Sequence, residues 1–192
     1  MGGYNIKLSG ILRHNAIKLG LKVASDGYIE VNELLKLKLL KGCTEEALRE
    51  IVKTDKKTRF SLCENDGKLY IRANQGHSGD VAKCLDPEQY TQVITTPIEP
   101  CIHGTYSEFL PSIMSQGLSK MSRAYIHCAA GLPHEVKSGM RKDCDVFIYV
   151  DMKKAMADGI EFRMSANDVI LTKGINGYLP PKYFEVKKKN IK

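Results

Sequence analysis

The stretch "TRFSLCENDGKLYIRANQGHS", Thr58 to Ser78, decides how the first half of the chain is read. Two strand-like runs, "TRFSLC" and "KLYIRA", flank "ENDGK", and the Asp66-Gly67 pair at its centre supplies the positive φ angles of a tight hairpin turn. The second run ends on Arg72. A glycine-broken polar segment with Gln75, His77 and Ser78 follows at once, without apolar spacing. That segment reads either as a solvated turn or as a place where the chain presents polar groups to a ligand.

Upstream of the hairpin, Ile6, Leu8, Ile11, Leu12, Ala16 and Leu19 form an apolar stripe at helical spacing, with Arg13 and His14 beside it. "ASDGYIEV" reads as a turn and a short strand, and Asn32 is the expected cap of a helix running through "ELLKLKLLKG". Thr44 is the expected N-cap of the next helix, with Glu45 and Glu46 in its first turn. Helices followed by a hairpin in a basic chain give the order of a winged-helix-like lobe. "LDPEQYTQVITTPIEP", Leu85 to Pro100, has three prolines and few packing residues, and it is expected to be a linker or a lobe crossing. Beyond it, "CIHGT", "AYIHCA", "DVFIYVD", "GIEFRM", "DVILT" and "KYFEV" read as strands. "YSEFLPSIMSQG" and "MKKAMADG" read as helices between them. The expectation is an α+β fold with a mainly antiparallel second sheet.

The chain has 192 residues, enough for a buried core, and a formal charge of +7. Residues 1–97 hold 15 basic and 12 acidic side chains, while 98–192 hold 14 and 10, so both halves are mildly positive. Such a field suits a polyanion. The basic ending "KKKNIK" adds to it and reads as a solvated terminus. No tract resembles a membrane span or a secretory signal. The six cysteines lie far apart without a CxxC pair, which suits a reducing, intracellular compartment better than disulfides or structural zinc.

The sequence contains no GxGxxG, Walker A lysine motif, HExxH or GxSxG. What it does contain is Arg, His, Ser and Asn placed beside glycines at strand ends: Arg13 with His14; Arg72, Gln75, His77 and Ser78; His103, Gly104 and Thr105; Ser122, Arg123 and His127; Ser165, Asn167 and Asp168. Four of the five histidines fall in these clusters, and His134 is the surface exception. Each cluster alone has an ordinary explanation. Arg13 and His14 can be solvated helix positions, Arg72 can pair with a nearby acid, and His103 can bond to a backbone carbonyl. Their recurrence argues for a shared site.

The ordered motifs "LSGILRH", "TRFSL", "IRANQGHS", "HGT", "GLSKMSRAYIHCA", "SGMR" and "SANDVILT" run from about Leu8 to Glu185 and resemble the NAD-dependent RNA 2'-phosphotransferase family. "GYLPPKYF" and "AAGLPHEVKSGMR" look closer to its eukaryotic branch. The resemblance implies a winged-helix-like RNA lobe over residues 1–92 and an ADP-ribosyltransferase-like NAD lobe over 98–192, with the active site in the cleft between. It implies catalytic roles for Arg13, His14, Arg72 and Arg123. It assigns NAD contacts to His103, Gly104, Thr105, Ser122, His127, Ser165 and Asn167, and RNA contacts to Gln75, His77 and Ser78. Two positions depart from the pattern: Asp168 stands where glycine is common, and Cys128 where leucine is frequent.

The implied reaction moves the internal 2'-phosphate of a spliced tRNA to NAD, releasing nicotinamide and ADP-ribose 1'',2''-cyclic phosphate. The attacking phosphate is already an anion and the leaving group departs neutral, so the first step needs neither a strong base nor a metal. Arginines that bring two polyanions together are what it does need. A monomer working with NAD and 2'-phosphorylated RNA, in cytoplasm or nucleus and without a membrane, is the expectation. An ADP-ribosyltransferase acting on nucleic-acid or protein acceptors, or a non-catalytic RNA-binding protein, are the alternatives.

Overall fold

A computed structural model describes residues 2–141 and 143–189. The chain divides into two units that meet in sequence at Tyr90 and Thr91. In the first, α1 (Gly2–Gly10) runs on into a wider π-helical stretch, Ile11–Asn15. Leu8, Ile11, Leu12 and Ala16 are buried along one stripe. Ile6, expected on that stripe, is 78% exposed, because two residues from Leu8 is the opposite side of a helix.

Strand β1 (Ile29–Glu30) leads into α2 (Val31–Leu35), which is capped at Glu30. Asn32 therefore lies inside the helix and does not cap it. The helix also stops early: Leu37 turns extended and a single 3-10 turn, Lys38–Leu40, follows. Leu34, Leu35, Leu37, Leu39 and Leu40 cannot share one helical face, and the break lets both Leu34 and Leu40 reach the core. Helix α3 (Glu45–Thr54) starts as expected, with Thr44 Oγ1 accepting from the Ala47 amide at 3.2 Å.

Strands β2 (Phe60–Asn65) and β3 (Lys68–Ala73) form the hairpin, with Asp66 and Gly67 at φ +49° and +70°, the signs of a type I′ turn. The sheet order is β1-β3-β2, antiparallel throughout. Helices α4 (Gly79–Cys84) and α5 (Pro87–Tyr90) complete the first unit.

The second unit is built on a seven-stranded antiparallel sheet, ordered β12-β8-β5-β7-β10-β9-β4. Its first strand, β4 (Thr91–Val93), comes from the stretch read as a linker or a lobe crossing. The two units meet in sequence within this stretch, at Tyr90 and Thr91, as a lobe crossing would have it. Only the linker half of the reading is corrected: Thr91 is buried and its Oγ1 accepts from Arg163 Nε at 2.7 Å, while β4 pairs with β9 at the sheet's edge.

β5 (Cys101–Thr105), α6 (Leu110–Gln116), the two-residue β6 (Leu118–Ser119), β7 (Ile126–Ala130) and β8 (Val146–Val150) follow. Next come α7 (Met152–Ala157), β9 (Phe162–Ser165), β10 (Val169–Thr172), β11 (Tyr178–Leu179) and β12 (Phe184–Lys188). All six strands expected in this half form. The two-residue β6 and β11 pair as a separate ribbon. Ile126, Cys128, Val146, Ile148, Phe162 and Ile170 make the core of this unit. The mixed α and β content with antiparallel sheets agrees with the expected α+β class. All six cysteines are free. Lys187 and Lys188 of the basic ending close β12, and its last three positions, 190–192, lie outside the described residues.

Candidate active site

In the first unit the site residues converge from three elements. Arg13 and His14 sit on the π-helical stretch, a local widening often found where side chains are functional. The Ser78 amide donates to the Arg13 carbonyl at 3.0 Å, and His14 Nδ1 is hydrogen-bonded to Ser78 Oγ at 2.8 Å. The segment after β3 is thereby clamped onto the helix.

Gly76, at φ +88°, makes the turn that allows this. Its backbone lies close enough to Arg13 that a Cβ there would stand 3.4 Å from the arginine's Nε.

Arg72 leaves β3 with its Nη1 donating to the Asp26 carbonyl at 3.0 Å and its guanidinium 4.8 Å from the Tyr28 ring centroid. Its Nε is buried without a hydrogen-bond partner among the described residues. Among the described residues Arg72 pairs with no carboxylate; it is held by a backbone dipole and a ring face.

His77 is 2% exposed, so this polar segment is not a solvated turn. The ring packs edge-on against Tyr90, centroids 5.6 Å apart, and its Nε2 has no hydrogen-bond partner among the described residues. Burial, then the charges of Arg13, His14 and Arg72, push its pKa down to about 3. His77 is a neutral imidazole among cationic neighbours. Gln75 is half-buried beside it.

In the second unit His103 on β5 and His127 on β7 lie on neighbouring strands, and His103 Nδ1–H donates to the His127 carbonyl at 2.8 Å. The carbonyl bond is the one a merely structural histidine would make. Burial pulls the His103 pKa down, but the Cys128 thiol and the His127 carbonyl outweigh it and the net shift is upward. Cys128 moves oppositely: the Cys101 thiol lowers its pKa against burial, and His103 lowers it further.

Gly104 is glycine for packing reasons, since a Cβ would fall 2.3 Å from Met140 Cγ and 2.7 Å from Cys144 Sγ. That contact seats the "SGMR" loop against β5. Thr105 is buried. Ser165 Oγ donates to Asn167 Oδ1 at 2.9 Å and accepts from the Val169 amide at 3.0 Å, and Asn167 Nδ2 donates to Ser138 Oγ at 3.2 Å. Ser165 and Asn167 thus brace the β9–β10 turn and tie it to the same loop. Asp168 is exposed there at φ +59°, which explains why glycine also suits the position.

Ser122 is exposed on the turn before Arg123. Partial burial, then the charge of Arg141, lowers the Arg123 pKa. Arg141 is a residue the sequence reading left without a role. Its Nη1 donates to Tyr106 Oη at 3.3 Å, and the Tyr106 hydroxyl in turn donates to Asp143 Oδ2 at 2.9 Å. Its place in "SGMR" was the available signal. Ser138 of the same motif was likewise unassigned, as were Tyr28 and Tyr90 in the first unit.

The model of one family, RNA 2'-phosphotransferase, Tpt1 / KptA family, matches residues 5–174. A putative tRNA 2'-phosphotransferase of Schizosaccharomyces pombe is 48% identical, over 94% of this chain and 49% of that protein. tRNA 2'-phosphotransferase 1 of Danio rerio is 45% identical over 92% of this chain and 80% of its own length; that of Homo sapiens is 44% identical over 93% and 72%. The chain therefore spans about half the length of the fission yeast relative and most of the two vertebrate ones. With a match of this extent, over the residues just described, the chain belongs to the RNA 2'-phosphotransferase, Tpt1 / KptA family.

Proposed function

We propose that this protein is an NAD-dependent RNA 2'-phosphotransferase that removes the 2'-phosphate left at a spliced tRNA junction. The phosphate passes to NAD, with release of nicotinamide and ADP-ribose 1'',2''-cyclic phosphate. In this reading residues 1–92, of which Thr91 and Gln92 begin β4 of the second unit, hold a winged-helix-like RNA lobe, supported by the helices and three-stranded antiparallel sheet of the first unit. Residues 98–192 are an ADP-ribosyltransferase-like NAD lobe, supported by the paired histidines on β5 and β7. The protein acts as a monomer inside the cell, in cytoplasm or nucleus. No helix among the described residues is long and apolar enough to cross a membrane.

The observation that carries the reading is the state of Arg72. It is a half-buried cation whose buried Nε has no hydrogen-bond partner among the described residues, set beside Arg13, His14 and a His77 that stays neutral. An uncharged imidazole adds no competing cation and requires no carboxylate nearby, so the open Nε of Arg72 can take an anionic group. A dianionic phosphate ester fits such a donor set through short charge-assisted bonds. Arg13 and Arg72 hold the phosphate oxygens, and their hydrogen bonds strengthen as charge builds on phosphorus. His14, oriented by Ser78, is the group placed to move a proton when the RNA 2'-hydroxyl leaves.

The donor set of the second unit fits NAD. Ser122 suits the dinucleotide's hydroxyls, Arg123 is the second unit's donor to the phosphate in the transition state, and His103 and His127 are a pair held together on neighbouring strands. Gly104, Thr105, Ser165 and Asn167 shape that site by fixing the "HGT" strand, the β9–β10 turn and the loop tied to both. The test is incubation with NAD and a 2'-phosphorylated oligoribonucleotide. Nicotinamide and the cyclic phosphate are expected in equal amounts, and their absence would sink the proposal.

A further inference from the structure

The β6–β11 ribbon displays three large apolar side chains that the core does not use. Met121 is 78% exposed, Ile175 49% and Tyr178 41%. They are not the tips of a loose loop. Tyr178 pairs with Ser119 across the ribbon, and Ile175 bridges to Tyr178 with its amide donating to the Tyr178 carbonyl at 2.7 Å. The Lys120 amide donates to the Gly177 carbonyl at 3.0 Å, and the Met121 amide donates to Ser119 Oγ at 3.0 Å. Gly174 approaches so closely that a Cβ would lie 2.2 Å from the Tyr178 carbonyl oxygen. Met121 is held at φ +55°, a region that side-chain-bearing residues rarely adopt. A rigid base thus points apolar groups into water, the mark of a contact surface.

Charge indicates the partner. From Leu110 to His134, and again from Val169 to Phe184, the sequence has no Asp or Glu. The ribbon lies within these two segments and carries Lys120, whose Nζ donates to the Arg123 carbonyl at 3.2 Å. The apolar tips are therefore tied through two residues to a candidate catalytic arginine. Flat or flexible apolar side chains interleaved with cations match unpaired nucleotides, where bases stack and phosphates meet charge.

We propose that Met121, Ile175 and Tyr178, with Lys120, form a stacking surface for single-stranded nucleotides flanking the 2'-phosphorylated one. This rests on the reading of the chain as an RNA 2'-phosphotransferase and extends it to the neighbours of the reacting nucleotide.

The test is fluorescence anisotropy with a labelled single-stranded oligoribonucleotide of about eight residues, a typical span for such surfaces. The RNA lacks a 2'-phosphate and NAD is omitted, so the result does not depend on turnover. Tyr178→Ala should weaken binding about tenfold, the scale of losing one base–aromatic stack, Met121→Ala about threefold through lost apolar contact, and Tyr178→Phe should bind as wild type. Inhibition by inorganic polyphosphate should be unchanged in all three. Wild-type RNA affinity in a folded Met121→Ala, Tyr178→Ala double variant would overturn the proposal and leave the patch to a protein partner. Equal losses for polyphosphate and RNA would overturn it too. Should Tyr178→Ala fail to fold by circular dichroism, the highly exposed Met121→Ala decides alone. Failure of nicotinamide release by the wild-type protein would count against the enzymatic reading, in a separate assay.

Discussion

Lowering the pH should destabilise the first unit through His77 in particular. Its ring is neutral in the folded protein, with a pKa of about 3, against about 6.5 when unfolded. The folded-state value is depressed for a base, so the unfolded chain binds the extra proton first. The contribution of His77 is intact above pH 6.5 and is lost progressively as pH falls toward 3. Linkage between these two values gives a loss of about 2 kcal/mol from pH 7 to pH 5. Urea unfolding at both pH values, for wild type and for His77→Gln, isolates this amount because the other titrating groups cancel. Stability should fall about 2 kcal/mol further in the wild type than in the variant. Parallel falls in the two proteins would refute both the neutral ring and its cationic setting of Arg13, His14 and Arg72.

Arg72→Ala and Arg123→Ala should stay folded but lose roughly 100-fold or more in turnover, the scale of removing one transition-state donor, with ADP-ribosylated RNA accumulating. Wild-type kinetics without that intermediate would remove the role assigned to the arginine. Ser78→Ala removes the 2.8 Å partner of His14 Nδ1, and kcat measured by release of the cyclic phosphate should drop about tenfold with little change in the KM for NAD. Because the attacking phosphate is already anionic, turnover should be unchanged in excess EDTA; loss on chelation and recovery with Mg²⁺ would contradict this.

Much of the fold is legible locally. The Asp-Gly turn sets the hairpin through two positive φ angles, and Thr44 starts α3 through a bond three residues away. The strands of the second unit announce themselves as apolar runs between glycines and charges. β4 does not, because Gln92 and Val93 are exposed on an edge strand and only Thr91 is buried. The leucine-rich segment after Asn32 misleads for the opposite reason: it has more apolar residues than one helical face can bury. At the site, the motif residues could be named in advance, but their state could not. The burial of His77 depends on Tyr90 and on a clamp between residues 64 apart, and neither leaves a period in the sequence. Arg141 sits in a loop, where periodicity carries no signal; its place in "SGMR" marks it in the sequence, and its bond to Tyr106 and its charge beside Arg123 give it a role in the structure.

The central claim is tested most directly by mass analysis of the small products formed from NAD and a 2'-phosphorylated oligoribonucleotide. Nicotinamide and ADP-ribose 1'',2''-cyclic phosphate are expected in equal amounts, with an RNA that has lost its phosphate and regained a 2'-hydroxyl. An RNA that keeps its phosphate and ends as a stable ADP-ribose conjugate, or no nicotinamide at all, would contradict it.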